Sequence, residues 1–220
     1  MSDESNTLKA QTEAKVAAGR KGNSDFMKGV DESIAQAKSF QEGANALALN
    51  QNAPNFELPN QHGQSVQLTE LLAKGPVVIT FYRGSWCPYC NLQLKALQAR
   101  LPEIHALGAQ LVAISPQVPD GSMSKSDISN MDFVVLSDQN ADVAASYGVA
   151  WKVPTFLLEH IRVDRGLDLE SLNNGNGSIL HIPATFVLNS EGRVTWRYVD
   201  VDYRTRSEPE DIINALKVLQ

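Results

Sequence analysis

Cysteine is scarce in this chain: 220 residues carry only two, three positions apart in Trp86-Cys87-Pro88-Tyr89-Cys90. A scaffold held by several disulfides is therefore ruled out, and both thiols are committed to one site. Histidine is thin as well. His62, His105, His160 and His181 are too far apart for a His-x(3–5)-His half-site, and there is no second cysteine pair, so a zinc centre is disfavoured and no metal is expected. Long apolar runs are missing too. The longest, Pro76–Phe81 and Leu111–Ile114, fall far short of the roughly 20 residues that cross a bilayer. Nor is there an excess of positive charge: the formal net charge is −6, which argues against nucleic acid or an anionic membrane surface as main partner. Met1 to Asn6 are polar and acidic, without the basic start and apolar stretch of a secretory signal. The expectation is a soluble cytoplasmic protein, a setting in which a CxxC pair is catalytic rather than structural.

What is present centres on that pair. Pro76 to Tyr82 is a β-branched and aromatic run that predicts a buried strand. Leu92, Leu94, Leu97, Leu101 and Ile104 mostly suit one face of a following helix. Cys87 then falls at the helix N-cap, with Pro88 in the first turn where its missing N–H costs nothing. Free N–H groups and the helix dipole lower a thiol pKa at that point, so Cys87 is the better candidate nucleophile. Residues three apart on a helix have Cβ atoms about 5–6 Å apart. A disulfide needs about 3.5–4.5 Å. A small adjustment thus closes Cys87 to Cys90, which suits a cycling dithiol. As a structural staple so short a loop removes little entropy from the unfolded chain. An inert, merely packed pair is the competing reading.

Along the chain, residues 1–50 form a helical extension without strand pattern. Phe26, Val30, Ile34, Ala37 and Phe40 repeat at helical spacing, with Ser24 as a cap and Gly43 as a stop, and Leu8 to Ala18 is a weaker helix. Such an arm either serves oligomerisation, as in a homodimer, or partner docking, or packs on its own domain. Residues 51–220 alternate strands and helices and predict an α/β fold with a sheet covered on both faces. Gln110–Ser115 and Phe133–Leu136 read as strands, and Ala141–Tyr147 as a helix. Ala184–Leu188 and Val194–Val199 read as a hairpin. Residues 150–178 interrupt this rhythm as an insertion. Ser207 to Glu210 has capping-box spacing before a last helix.

Taken in order, Ala53-Pro54-Asn55-Phe56-Glu57-Leu58-Pro59, Pro76 to Tyr82, Leu136-Ser137-Asp138, Ser146-Tyr147-Gly148-Val149 and Pro183 to Leu188 resemble the peroxiredoxin-like (AhpC/TSA) family of the thioredoxin-fold superfamily. The resemblance spans about residues 51–220. It implies a thioredoxin-like fold, a central mixed β-sheet flanked by helices, with the N-terminal helices added. By position Cys87 stands where that family carries a Thr and Cys90 where it carries its peroxidatic Cys, while Pro183 replaces an Arg. The local residues are thioredoxin-like instead. Trp86-Cys87 resembles the thioredoxin Trp-Cys, Pro88-Tyr89 the glutaredoxin dipeptide, and Ile182-Pro183 the cis-proline loop whose backbone meets an extended substrate. Where thioredoxins keep a buried acid this chain has Phe81, and His181 is either a substitute proton acceptor or, as a lone histidine more often is, a structural residue.

The resemblance implies catalytic Cys87 and Cys90 and substrate contacts from Trp86, Pro88, Tyr89, Ile182 and Pro183; Arg83, close to the cysteines in sequence, is a candidate for charge support, against a reading of it as a solvent-facing loop residue. The redox-active disulfide needs no other cofactor. Three functions stay open. One is a peroxidase, with Cys90 taking the oxygen and Cys87 resolving. The second is a disulfide oxidoreductase, with Cys87 attacking first. The third is a non-enzymatic redox sensor. In the first two, a hydroperoxide or a disulfide is the substrate, and a thioredoxin- or glutaredoxin-type reductant restores the thiols.

Overall fold

The computed structural model describes residues 7–118 and 131–220. The acidic start and most of the polar segment after Ser115 lie outside them. Five strands form the central mixed sheet, in the order β5-β4-β3-β8-β9. β3 (Val77–Phe81), β4 (Gln110–Ser115) and β5 (Val134–Ser137) run parallel, β8 (Ala184–Leu188) runs antiparallel beside β3, and β9 (Val194–Val199) pairs antiparallel with β8 at the edge. All five residues of β3 are buried, as its apolar run and central place require. Each such apolar side chain contributes about 1.5–3 kcal/mol by leaving water. Two small antiparallel pairs flank the sheet: β1 (Glu57–Pro59) with β2 (Ser65–Gln67), and β6 (Ala150–Lys152) with β7 (Ile179–His181).

Helices α3 (Leu68–Leu72), α4 (Pro88–Ala99), α5 (Leu101–Ala106), α6 (Asp142–Ser146) and α9 (Pro209–Lys217) accompany the sheet, and α7 (Thr155–Val163) and α8 (Leu169–Leu172) fill the stretch between β6 and β7. The single helix expected from Leu92 to Ile104 is two. The chain breaks at Arg100 and restarts with Pro102 in the first turn of α5, where a missing N–H is tolerated. The last helix is capped one residue later than expected: Glu208, not Ser207, forms the box, with Asp211 returning a bond to the Glu208 N–H.

The extension folds as α1 (Leu8–Gly22) and α2 (Ser24–Ser39). The cap of α2 is Asn23, whose side chain accepts the Phe26 N–H, so Ser24 is already helical. The helix stops at Ser39, short of Gly43, which leaves Phe40 exposed. Val30, Ile34 and Ala37 join the core of the sheet domain, and α1 packs on α4. The α1 N-terminus is held from the far end of the chain: the Glu208 carboxylate accepts the Leu8 and Lys9 N–H groups at 3.1 and 2.6 Å. Among the described residues no helix is long and apolar enough to cross a membrane.

Candidate active site

The site lies at the carboxyl end of β3, where Tyr82-Arg83-Gly84-Ser85-Trp86 leads into α4. Gly84 has φ +143°, and a Cβ there would come within 2.4 Å of Trp86 Nε1, so only glycine lets Trp86 fold back over the loop. Buried Gln117 accepts both the Ser85 N–H (2.8 Å) and its hydroxyl (2.9 Å), and Asn91 Nδ2 donates to Ser85 O. Cys87 is the N-cap of α4 and Pro88 its first residue.

Both cysteines are free and buried, but they are not equivalent. Cys87 lines a cavity of about 340 Å³ together with Arg83, Trp86, Pro88, Tyr89 and Tyr203, whereas Cys90 does not reach it. Burial alone would raise the Cys87 pKa. The Cys90 thiol donating to its sulfur, the Arg83 and Arg206 charges and the Cys90 N–H together outweigh that and hold it well below the usual thiol value. Cys90 moves the other way, pushed well up by burial, by that donation and by the neighbouring negative sulfur.

Two buried arginines serve the pair. Arg83, expected on a solvent-facing loop under one reading, is only 3% exposed. Its guanidinium lies 4.1 Å from the Tyr203 ring centroid and 5.0 Å from that of Trp86, which replaces lost hydration with ring faces. Arg206 Nη2 donates to Cys90 Sγ at 3.1 Å. Its Nε donates to Gln93 Oε1 (2.7 Å), and its Nη1 to the Tyr203 and Thr205 carbonyls. Gln93 in turn donates to Thr80 of β3 and Thr185 of β8, so the guanidinium is braced against the middle of the sheet.

Cys87, Trp86, Pro88, Tyr89 and Arg83 thus line one cavity, with Cys90 one helical turn behind Cys87, and Ile182 and Pro183 are not among the residues that line it. No cis peptide bond occurs among the described residues, so Pro183 is trans, contrary to expectation. The Ile182 N–H is committed elsewhere. Ile182 N–H continues the β6–β7 ladder by donating to Val149 O at 2.7 Å, and a Cβ on Gly43 would stand 3.3 Å from the Ile182 side chain. Its backbone has no N–H left for a substrate. His181 is also a structural residue: Nδ1 meets Ile114 O (3.1 Å) and Nε2 faces Asp138 Oδ2 (3.2 Å). Missed by sequence reading were Arg206, Gln93 and Tyr203, along with the walls that Lys15, Phe26 and Met27 of the extension and Arg165 after α7 add to the Cys87 cavity.

A dithiol at the start of the helix that follows a central parallel strand, inside this mixed sheet, defines a thioredoxin-like redox protein. The sequence matches the AhpC/TSA family over residues 49–197, and the chain belongs to that family. Peroxiredoxin Bcp of Escherichia coli K12 is 24% identical over 173 residues, which are 79% of this chain and 97% of that protein. A putative peroxiredoxin bcp of Haemophilus influenzae is 32% identical over 113 residues, covering 51% and 72%. Among solved structures, peroxidoxin BcpB from Mycobacterium tuberculosis superposes with a TM-score of 0.61 at 21% identity, over 79% of this chain and 99% of that one. Reduced 2-Cys peroxiredoxin of Plasmodium vivax gives 0.59 at 17% identity, over 78% and 81%. These likenesses agree with the mixed α/β fold expected from the residues.

Proposed function

We propose that the protein is an antioxidant thiol peroxidase that reduces hydroperoxides through the Cys87 and Cys90 dithiol, with Cys87 as the attacking sulfur. Its relatives carry the name peroxiredoxin. The observation that carries the order of attack is the contrast between the two thiols: Cys87 lines the cavity and has a lowered pKa, while Cys90 is shut away with a raised one. This reverses the order implied by family position.

The Cys87 thiolate attacks the terminal peroxide oxygen, the O–O bond breaks, and the departing alkoxide takes a proton, leaving a sulfenic acid and an alcohol or water. Arg83 stands beside the charge that shifts from sulfur to oxygen in that step. Cys90 then attacks the sulfenic sulfur. Water leaves, and the Cys87–Cys90 disulfide forms as the only redox group. Arg206, 3.1 Å from Cys90 Sγ, favours the thiolate that this second attack needs. An external thiol returns the pair to the dithiol, in keeping with a cytoplasmic setting.

Stopped-flow tryptophan fluorescence of the reduced protein, mixed in turn with hydrogen peroxide and with glutathione disulfide, tests this. A peroxide rate no faster than that of a free thiol ends the peroxidase reading. Dimedone trapping after peroxide in Cys90→Ser but not in Cys87→Ser supports the order, and the reverse labelling overturns it.

A further inference from the structure

The cavity over Cys87 is larger and more charged than a neutral peroxide requires. At about 340 Å³ it falls in the range of small-molecule sites. Its walls carry three cations, Lys15, Arg83 and Arg165, and no Asp or Glu. Arg83 is the informative one. It is buried, its Nε meets no hydrogen-bond acceptor, and no carboxylate pairs with it among the described residues. Arg165 is held at the rim by donating from Nη2 to Trp86 O at 2.8 Å, its guanidinium 5.7 Å from the Trp86 ring centroid. A buried guanidinium with no carboxylate partner, and with only Cys87 for a counter-charge while that sulfur is a thiolate, stands with two more cations on the same cavity and makes a field set for an anion once Cys87 is in the disulfide.

The walls also limit what enters. Phe26 of α2 stacks on His160 of α7, their ring centroids 3.6 Å apart, and Phe26 approaches Phe156 at 5.6 Å. The extension is thereby closed against the segment between β6 and β7. An extended loop of a protein partner would have to part these helices to reach the Cys87 sulfur, whereas a small thiol fits the cavity as it stands.

Resting on the peroxidase reading, we propose that this cavity binds the reductant, and that the reductant is a low-molecular-weight thiol carrying one or more carboxylates rather than a protein dithiol. Its thiolate attacks Cys87 Sγ of the disulfide, the S–S bond breaks, and Cys90 leaves as a thiolate beside Arg206. A second thiolate attacks the small-molecule sulfur of the mixed disulfide and releases Cys87 as thiolate. Cys90 takes one proton. Two small thiols thus supply the two electrons and leave as their own disulfide.

The test begins from protein oxidised with diamide, so that it does not depend on any reaction with peroxide. Recovery of tryptophan fluorescence is followed by stopped flow with 3-mercaptopropionate, glutathione, 2-mercaptoethanol and cysteamine, compared at equal thiolate concentration. The expected order is anionic, then neutral, then cationic, with at least about a tenfold gap between the extremes at low salt, as cleft electrostatics give. The gap closes at high salt and in Lys15→Glu/Arg165→Glu. Both residues are exposed, and far-UV circular dichroism of the oxidised variant checks that it keeps its fold, since a general loss of structure would also close the gap. If the double variant fails to fold, Lys15→Gln alone carries the comparison. Equal rates for the four thiols overturn the proposal, as does a preference that neither salt nor the variants alter. A thioredoxin-type dithiol that outruns every small thiol at matched concentration also overturns it.

Discussion

Arg206 Nη2 donates to Cys90 Sγ at 3.1 Å, across 116 positions of sequence. The resemblance read from the sequence implies an arginine where this chain has Pro183, and positive charge reaches the dithiol from the loop before α9. Replacing Arg206 with Met removes a charge-assisted hydrogen bond worth about 1.5–3 kcal/mol. Peroxide turnover should fall by roughly 10- to 100-fold. Arg206→Lys keeps the charge without the fork that grips Gln93, Tyr203 and Thr205, and should recover only part of the rate. Steady-state and single-turnover peroxide assays check both.

The lowered Cys87 pKa has a direct pH signature. The thiolate is the reactive form, so a thiol with a depressed pKa stays reactive as pH falls below the usual thiol range and loses reactivity only on passing through its own lowered value. Iodoacetamide labelling of reduced protein should reach its plateau at lower pH than a free thiol does and should modify Cys87 before Cys90. In Cys90→Ala, which removes the donating thiol, and in Arg83→Met, the midpoint should move up. A labelling curve centred at the free-thiol value in the native protein contradicts the geometry.

Asp138 gives the fold an acid limit. It is 3% exposed, accepts the Val143 and Ala144 N–H groups at the start of α6, and faces His181. Burial alone would raise its pKa, but His181 and the two N–H groups prevail and lower it. A depressed carboxyl pKa stabilises the folded state above the unfolded value, about 3.9, and that contribution disappears as pH falls through the lower folded value. Asp138→Asn should cost about 1–3 kcal/mol near neutral pH. The gap from the native protein should shrink as both are titrated below about pH 4. Urea unfolding at several pH values measures it.

Gly84→Ala tests the loop that seats Trp86. With φ at +143° and Trp86 Nε1 2.4 Å from the added Cβ, the substitution forces either the backbone or the indole to move. A loss of about 1–3 kcal/mol follows from the backbone alone. The Trp86 indole should shift with it, read as a changed fluorescence spectrum of the reduced protein and a slower peroxide reaction.

These sites differ in how far the sequence announces them. β3, the loop and Cys87 as N-cap of α4 follow from a run of β-branched residues, Pro88 and an apolar period, all local signals. The α/β alternation carries the sheet in the same way. Arg206 and Gln93 leave no such mark. Arg206 meets Cys90 and Gln93, and Gln93 meets Thr80 and Thr185, only because distant segments pack together, and no spacing in a single sequence reports that. Arg83 is a similar case, since an arginine after a strand is ordinarily exposed and only the Trp86 and Tyr203 rings make its burial tolerable. Ile182-Pro183 misled in the opposite direction. The dipeptide suits a substrate-facing loop, but the β6–β7 ladder, invisible as a pairing, had already taken the Ile182 N–H.

The extension closes the Cys87 cavity through Phe26, and Phe26→Ala should open it. Phe26 is only partly buried, sits against His160 and Phe156, and contributes little to the main core beyond that contact, so the loss of stability should stay near the low end of the 3–5 kcal/mol typical of buried Phe→Ala changes or below it. Access should change more than stability. In the native protein a bulky maleimide must pass between α2 and α7 to reach Cys87, whereas iodoacetamide is small enough to enter the cavity. The ratio of maleimide to iodoacetamide labelling should therefore rise several-fold in Phe26→Ala. Iodoacetamide labelling alone should change little, because Arg83, Arg206 and Cys90, which set the Cys87 thiolate, are untouched. A parallel rise for both reagents would instead mean that the variant loosens the whole site, and would remove Phe26 as the residue that controls entry.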